Sequence, residues 1–292
     1  MRYVQGVGAL RIGIVAPSCP LSPDVAARVQ ELATATFGDA APELVIHPQC
    51  YLSEGHFAGS DAARADAFVE MANDPAIDAL WFARGGYGAC RMADSALKRL
   101  NGVARTKAYL GYSDAGFLLG GLYARGIGRV AHAPMPSDIL RDGGDGAIIR
   151  SLEWLMGNTL LSRDDNEDPH LNLAPPLFRA GRRQVAFNLT VLGAMIGTRL
   201  MPDLTDHILM IEEVSEYMYR IDRSLFHLTS NAGIRAVAGI KLGRCTQIPE
   251  NDVDFGMDEE AVVQQWCTVS GSAYLGRADI GHDADKKVVA FG

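Results

Sequence analysis

Residues 106–125, TKAYLGYSDAGFLLGGLYAR, decide the fold that we expect for this chain. The apolar run at 108–110 predicts a buried strand, and the apolar positions at 117–123 predict a helix. Ser113 lies on the sharp turn between them. Such a turn lifts a serine hydroxyl out of the sheet and directs helix amides at the atom it attacks, so Ser113 is a candidate nucleophile. The pattern is not the full G-x-S-x-G, and a Ser-Asp pair at a helix start is also a common N-cap.

The segments on either side of this turn alternate between strand and helix patterns. Before it, strands are predicted at 10–16, 43–47 and 79–82, and helices at 23–36, 61–73 and 90–100. After it, helices are predicted at 147–156, 220–230 and 259–267, and strands at 207–211, 237–242 and 288–290. Strands that alternate with helices are typical of βαβ units, so we predict an α/β fold with a mostly parallel sheet.

The length and one polar segment predict two domains. The chain has 292 residues, enough for one large or two modest domains. Residues 162–176, SRDDNEDPHLNLAPP, are acidic and contain prolines, as is typical of a linker. We therefore predict an N-terminal α/β domain at 1–160, a linker at 161–184 and a C-terminal domain at 185–292.

The composition excludes several classes of partner and site. The net charge is −8 without a basic block, which argues against binding to nucleic acid or to an anionic membrane surface. The five cysteines include no C-x-x-C pair, so neither a disulfide framework nor a metal site is predicted. The apolar run at 12–16 is too short for a signal sequence, and no run approaches the roughly 20 residues of a membrane span. We expect a cytoplasmic protein without a cofactor.

A second glycine-bearing turn is predicted at the same sheet edge as Ser113. Residues 84–88, RGGYG, follow the predicted strand 79–82. Because the carboxyl ends of parallel strands meet at one edge, this turn and Ser113 should lie close together. Glycines allow backbone amides to approach a reacting carbonyl, so Gly85 and Gly86 are candidates for an oxyanion hole. The chain lacks G-x-x-x-x-G-K-[ST] and G-x-G-x-x-G at its first turn, which argues against a phosphate cradle.

A serine nucleophile needs a base that accepts its proton. Of the seven histidines, His282 is the strongest candidate because it follows a glycine in a loop and lies outside any apolar stripe. His56 lies in another glycine-bearing loop and stays an alternative. Four further histidines lie in or beside predicted regular elements, where we expect them to pack or cap: His47, His132, His207 and His227.

The base in turn needs a carboxylate that orients it and stabilises its charged form. Glu212 directly follows the predicted strand 207–211 and therefore belongs to a strand carboxyl end. Two neighbouring acids, Glu213 and Glu216, are rivals for this role. Residue types and spacing alone leave this choice open.

Four segments are more specific together than any of them is alone: FAGSDAARADAF at 57–68, DPAIDALWFARGGYGACRM at 74–92, YLGYSDAGFLL at 109–119 and HILMIEEVSEYMYRIDRSL at 207–225. Three shorter segments agree: FNLTVLGAMIGT at 187–198, AGIKLGRC at 238–245 and IGH at 280–282. In this order they resemble the LD-carboxypeptidases, the muramoyltetrapeptide carboxypeptidase family of serine peptidases, which includes the microcin-immunity peptidases. The resemblance covers nearly the whole chain.

This resemblance implies a Ser-Glu-His triad. The nucleophile corresponds to Ser113, the orienting acid to Glu212 and the base to His282. The oxyanion hole would use the backbone amide of Asp114 and an amide of the Gly85–Gly86 turn. The family also implies an N-terminal α/β domain with a smaller C-terminal α/β domain, an active site at their interface, and a homodimer.

The resemblance further implies a substrate. It is the amide between the L-centre of a diamino acid and the terminal D-alanine of a murein tetrapeptide, cleaved during cell-wall recycling. We predict Arg84, Tyr87 and Arg220 as substrate-binding residues, since an arginine can bind a carboxylate through two hydrogen bonds. Pairing of these arginines with nearby acids is the alternative.

Two other functions stay open. The first is a related amide hydrolase that inactivates a peptide-nucleotide antibiotic, and the second is a non-catalytic small-molecule binding protein with two domains. The chain departs from the family at Ser215 and at 217–218, where a glycine and prolines are common. It also lacks the asparagine that often follows the histidine, within 283–286.

Overall fold

The computed structural model describes residues 10–157 and 183–292. The strands in these ranges are β1 (Arg11–Val15), β2 (Glu43–Ile46), β3 (Ala79–Phe82), β4 (Ala108–Gly111), β5 (Arg129–His132), β6 (Gln184–Asn188), β7 (Ile208–Val214), β8 (Gly239–Thr246), β9 (Tyr274–Arg277) and β10 (Val289–Ala290). The α-helices are α1 (Pro23–Phe37), α2 (Asp61–Asn73), α3 (Ala89–Leu97), α4 (Gly116–Ala124), α5 (Gly144–Leu155), α6 (Leu189–Met195), α7 (Met218–Ser230), α8 (Ala232–Arg235) and α9 (Glu259–Ser270).

The strands form two sheets. The first has six strands in the order β10-β5-β4-β3-β1-β2, in which β1 to β5 run parallel. The second has four parallel strands in the order β6-β7-β8-β9. The predicted α/β fold with a mostly parallel first sheet is therefore confirmed. The last strand, β10, leaves the second half of the chain and pairs antiparallel with β5 of the first sheet.

The central strands of the first sheet are apolar because helices cover both of their faces. All four residues of β3 and all four of β4 are buried. Phe82 and Tyr109 pack on the side of α2, α3 and α4, whereas Trp81 and Leu110 pack on the side of α1 and α5. Burial on both faces favours a continuous apolar run over an alternating pattern. The sequences of β3 and β4 are such runs.

The core of the first sheet continues into the second. Phe117 and Leu118 of α4 belong to the same buried cluster as Leu192 and Met195 of α6. Helix α4 has no polar face, since it lies between its own sheet and α6. This shared core places the start of α4, directly after Ser113, beside the second sheet.

Several elements differ from the sequence-based expectations. Strands β5, β6 and β9 were not predicted, because polar residues stand at both ends of β5 and β6 and because glycine and arginine end β9. Strand β7 includes Glu212 and Glu213, which we expected to follow it. Its neighbours extend with it, since Asn188 of β6 pairs with Glu212 and Cys245 of β8 pairs with Glu213. Of the predicted linker 161–184, residues 161–182 lie outside the described residues, and Gln184 begins β6.

Candidate active site

Ser113 lies on a strained turn at the carboxyl end of β4. Its φ angle is +58°, in the left-handed region that side chains other than glycine rarely adopt. A single 3-10 turn, Ser113–Ala115, leads from it into α4. Tyr112 and Asp114 on either side are both buried, so the surrounding packing keeps the serine in this conformation. The strand, turn and helix predicted around Ser113 are all present.

The carboxylate of Asp114 connects this turn to the neighbouring loop. It accepts hydrogen bonds from the Ser18 hydroxyl and, at 2.8 Å, from the amide of Ala89 at the start of α3. Burial raises the pKa of Asp114, while these two donors oppose the shift. The side chain of Asp114 is thus bound away from Ser113, and its backbone amide lies next to the serine in sequence.

The Gly85–Gly86 turn contacts Ser113 closely. A Cβ atom added to Gly85 would lie 2.9 Å from both Cβ and Oγ of Ser113, so only glycine fits here. Gly86 has a φ angle of +118°. The buried Arg64 supports the same loop, because its guanidinium donates to the carbonyl of Gly88 at 2.8 Å. The structure therefore brings the two predicted turns together at one sheet edge.

Ser113, His282 and Glu212 form one hydrogen-bonded chain. His282 Nε2 lies 3.1 Å from Ser113 Oγ, and His282 Nδ1 lies 2.6 Å from Glu212 Oε2. Glu212 is 1% exposed and His282 is 8% exposed, so both are shielded from water. With the Nδ1 proton directed at the carboxylate, Nε2 is free to accept the proton of the serine hydroxyl. This series of hydrogen bonds links the carboxyl edges of the two sheets.

Both halves of the chain match family models. Residues 12–133 match the LD-carboxypeptidase N-terminal domain, and residues 183–292 match the LD-carboxypeptidase C-terminal domain. The chain belongs to the LD-carboxypeptidase family.

Individual relatives agree with this assignment. A putative carboxypeptidase of Synechocystis sp. is 33% identical over 204 residues, which cover 70% of this chain and 64% of that protein. A probable murein peptide carboxypeptidase of Bacillus subtilis is 27% identical over 289 residues, covering 96% of this chain and 86% of the relative. The crystal structure of a muramoyltetrapeptide carboxypeptidase from Oxalobacter formigenes has the same fold, with a TM-score of 0.69 and 21% identity over 97% of this chain and 92% of that one.

In this LD-carboxypeptidase-family chain, Glu212 and Glu213 point to opposite faces of β7. The Glu213 carboxylate accepts hydrogen bonds from Asn188 at 2.7 Å and from the amide and hydroxyl of Thr190 at 2.9 and 2.7 Å. Burial raises the pKa of Glu213. Glu213 therefore stabilises the start of α6 and does not reach His282. Glu216, the other rival, pairs with Arg220 at 3.1 Å.

A shift in strand pairing makes room for Glu212. Between Ile211 and Glu213 the register of β7 against β8 changes. Gly243 of β8 lies beside the glutamate there, and a Cβ added to it would lie 2.9 Å from the Cβ of Glu212. Irregularities of this kind often redirect a side chain next to an active site.

The rival histidines have other surroundings. His56 Nε2 lies 3.2 Å from Cys19 Sγ, and a Cβ added to Gly86 would lie 3.6 Å from the same nitrogen. His132 is fully buried and, within the described residues, neither of its ring nitrogens has a hydrogen-bond partner. Burial lowers the pKa of His132 to about 3. Two other histidines serve local structure: His47 accepts from the Gln49 amide, and His207 contacts Tyr123 Oη.

The three predicted substrate-binding residues are not equally placed. Arg84 lies beside Gly85 and lines a cavity of about 270 Å³ together with Ser137, Asp138 and Arg141; the Asp138 carboxylate is itself paired with Arg141. Tyr87 is 51% exposed, and its ring lies 6.3 Å from that of His56. Arg220 lies on α7 and pairs with Glu216, four residues earlier. This is the pairing with a nearby acid that we gave above as the alternative to substrate binding.

Sequence reasoning missed a group of residues behind His282. The ring of Tyr112 lies 4.8 Å from that of His282, and its hydroxyl donates to Asp138 at 2.8 Å. Lys286 lies 3.2 Å from the same carboxylate. Nothing in the spacing of these residues signals the contact.

Sequence reasoning also missed Arg64, which supports the glycine loop. A signal for it was available, since Arg64 lies within segment 57–68 of the pattern shared with the family.

Within residues 10–157 and 183–292, no helix is both long and apolar enough to cross a bilayer. No group of three or more histidine, cysteine, aspartate or glutamate side chains there is arranged to bind a metal ion.

Proposed function

We propose that this chain is a serine LD-carboxypeptidase that removes the terminal D-alanine from murein tetrapeptides. The bond cleaved is the amide between the L-centre of the diamino acid and D-alanine. The observation that carries this proposal is the hydrogen-bonded chain from Ser113 through His282 to Glu212. Family membership and the probable murein peptide carboxypeptidase of Bacillus subtilis support the same substrate class.

In the first half of the reaction, Ser113 Oγ attacks the carbonyl carbon of the diamino acid. His282 Nε2 takes the hydroxyl proton, and Glu212 stabilises the imidazolium that forms. The proton then passes from His282 to the nitrogen of D-alanine, because an amide nitrogen leaves readily only as an amine. The C–N bond breaks, which releases D-alanine and leaves the tripeptide as an ester on Ser113.

In the second half, water replaces the amine. His282 takes a proton from the water, whose oxygen attacks the ester carbonyl. The proton returns to Ser113 Oγ as the C–O bond breaks, and the tripeptide leaves as a carboxylate. His282 acts as base and then as acid in each half, so the enzyme returns to its starting state.

Both halves pass through a tetrahedral oxyanion. We assign its stabilisation to the backbone amide of Asp114 and to the Gly85–Gly86 turn, where the absence of side chains allows close approach. Each donor of this kind contributes roughly 3 kcal/mol to transition-state stabilisation. Asp114 supports the arrangement indirectly, because its side chain ties the serine turn to the start of α3.

We further propose that the cavity beside Arg84 receives an acidic group of the peptide. The Arg84 guanidinium donates to the carbonyl of Pro20 at 3.3 Å, which leaves most of its donors for a ligand. Tyr87 would cover the peptide from the exposed side. Arg220 stays a substrate-binding prediction, in which a substrate carboxylate would replace Glu216 as its partner.

The test is the release of D-alanine from tetrapeptides that carry lysine or diaminopimelate at the third residue. The wild-type chain should hydrolyse at least one of them, and Ser113→Ala should abolish release. Ser95→Ala is the matched control, since Ser95 Oγ donates only within its own helix, to Met92 at 2.9 Å. Unchanged turnover by Ser113→Ala would refute the mechanism.

The same assay separates the remaining functions. Cleavage of a peptide-nucleotide amide in preference to both tetrapeptides would favour the antibiotic-inactivating function. Tight binding of tetrapeptide without turnover would favour a binding protein. We also propose a homodimer, tested by sedimentation, and a cytoplasmic role in cell-wall recycling, tested by accumulation of tetrapeptides in a deletion strain.

A further inference from the structure

The segment that follows His282 returns to the first half of the molecule. Val289 of β10 pairs with His132, and Ala290 pairs with Ala131. The amide of Phe291 donates to the carbonyl of Val130 at 2.8 Å. Residues 283–292, which we call the C-terminal segment, therefore connect His282 directly to the sheet that carries Ser113.

A buried ion pair anchors the C-terminal segment before it reaches β10. Lys286 has no exposed surface, and its Nζ lies 3.2 Å from Asp138 Oδ1. Asp138 is 1% exposed, and the same oxygen accepts from Tyr112 Oη at 2.8 Å and from Arg141 Nε at 2.7 Å. A buried ammonium needs such partners, since burial without them costs several kcal/mol.

The Lys286 ammonium also lies next to Tyr112, whose ring packs against His282. Lys286 Nζ lies 4.1 Å from the centroid of the Tyr112 ring. The centroid of the His282 ring lies 4.8 Å from the same Tyr112 centroid. Tyr112 directly precedes Ser113. Lys286 also donates to the carbonyl of Asp283, the residue after His282, at 2.7 Å. The Lys286 side chain thus joins the loop that carries His282 to the turn that carries Ser113.

The second sheet contacts this loop from the other side. Arg244 of β8 pairs with Asp279 at 2.6 Å and with Asp283 through two hydrogen bonds. Arg150 of α5 donates to the carbonyls of Ala284 and Lys286, so it also ties this loop to the first half. The Lys286 side chain differs from it because it reaches Tyr112, the residue directly before Ser113. The distance that matters chemically is the one between His282 and Ser113, across the junction of the two halves.

We propose that Lys286 is a positioning residue that keeps His282 within hydrogen-bond distance of Ser113. The inference rests on the proposed triad. Lys286 contacts no reacting atom, and it acts by tying the loop after His282 to Asp138 and Tyr112. A displacement of about 1 Å can cost about 100-fold in rate, so a small shift of the imidazole should be measurable.

The test replaces Lys286 by methionine, which has a similar length and no charge. Asp138 keeps its 2.7 Å contact with Arg141, so the variant does not leave an isolated buried carboxylate. Lys286→Met should lower kcat for tetrapeptide hydrolysis about 10- to 100-fold, with KM within about twofold of wild type. A KM-independent loss is expected because His282 acts in the chemical step and not in binding.

Lys287→Met is the matched control. Lys287 is the next residue, is exposed, and has its nearest acid, Asp279, at 3.9 Å. It should keep wild-type kcat and KM. A Lys286→Met variant that melts at a lower temperature but keeps wild-type kcat well below its Tm would reduce Lys286 to a stability role and overturn the proposal.

A second measurement needs no substrate. The low-field proton NMR signal of the His282 Nδ1–H, which lies 2.6 Å from Glu212 in the intact site, should shift or broaden in Lys286→Met and stay unchanged in Lys287→Met. This result stands even if tetrapeptides are not the substrate, so failure of the proposed function and failure of this inference are distinguishable. An unchanged signal in Lys286→Met would contradict the proposal.

If Lys286→Met does not fold, the double variant Asp138→Asn/Lys286→Met removes both buried charges together. Such paired replacements are often tolerated. The double variant should fold and still show the loss in kcat and the altered NMR signal. Wild-type kcat in the folded double variant would overturn the proposal.

Discussion

The carboxyl edges of the two sheets contribute to one site in different ways. On the first sheet, Ser113 and Gly85 follow β4 and β3 within three residues, and their contact is a consequence of parallel neighbouring strands. On the second sheet, Glu212 lies inside β7, and its partner His282 lies 70 residues further along, outside any strand. Local turns build the first edge, whereas long-range packing builds the second. The first edge is therefore far easier to predict than the second.

Apart from the loss of the nucleophile itself, the largest expected effect tests the second edge. Glu212→Gln keeps the shape of the side chain but removes the charge that orients His282. We expect kcat to fall about 10³- to 10⁴-fold, because the imidazole then loses both its tautomer and its charge stabilisation. Steady-state release of D-alanine measures this effect, and thermal melting should show a folded protein.

The adjacent glutamate is the matched variant. Glu213→Gln should leave kcat near wild type, since its carboxylate points away from His282 to Asn188 and Thr190. It should lower the free energy of unfolding by about 1–3 kcal/mol, because the amide cannot accept all of the hydrogen bonds made to the carboxylate. If Glu213→Gln lost as much kcat as Glu212→Gln, the assignment of the two faces of β7 would be wrong.

An intermediate effect tests the first edge. Gly85→Ala places a methyl group 2.9 Å from Ser113 Oγ, so the serine or the turn must move. We expect kcat/KM to fall about 100-fold. Gly102→Ala provides the comparison, because a Cβ there has no neighbour within 4 Å and should leave activity unchanged. Wild-type kinetics for Gly85→Ala would show that this turn does not confine the serine.

The smallest expected effect is on the pH dependence of stability, and it follows from a difference between two imidazoles. His282 has a partner on each nitrogen, whereas His132 on the first sheet has none among the described residues and has a pKa of about 3. Because folding depresses the pKa of His132, the unfolded chain binds more protons between pH 6.5 and about 3. The stability associated with neutral His132 is present above pH 6.5 and is lost as the pH falls through that interval.

We therefore expect His132→Leu to have a flatter pH dependence of stability than wild type. Urea unfolding at pH 7 and pH 5 measures it. Within this interval a single proton changes the free energy of unfolding by at most about 1.4 kcal/mol per pH unit. Parallel stability curves for the two proteins would contradict a buried neutral imidazole at this position.

The parts of the fold that sequence reasoning predicted share one property. Strands β1, β3 and β4 and helices α1 and α2 have long apolar runs or capping residues, so their local signal is strong. Strands β5, β6 and β9 are no shorter than β3 and β4, so length does not explain why they were missed. Polar residues stand at both ends of β5 and β6, and Gly276 and Arg277 end β9, so their apolar signal is weak. Such strands form because a neighbour offers a ladder of hydrogen bonds, which no local pattern records.

The candidate site divides in the same way. Residues alone made Ser113 and the Gly85–Gly86 turn candidates, with an N-cap as the alternative for Ser113. They also left His56 as an alternative to His282, and Glu213 and Glu216 as alternatives to Glu212. The family resemblance narrowed that choice. The role of each residue stays a prediction until the variants are measured.

The sequence by itself determined an α/β chain with a serine and a glycine turn at strand ends, because strand and helix periodicity and turn chemistry are local properties. Only the tertiary structure decided which imidazole contacts that serine and which carboxylate contacts that imidazole. Those contacts span 169 and 70 residues, and they depend on a core shared by α4 and α6 and on a C-terminal strand that returns to the first sheet. Packing over such separations has no counterpart in the spacing of residues along the chain.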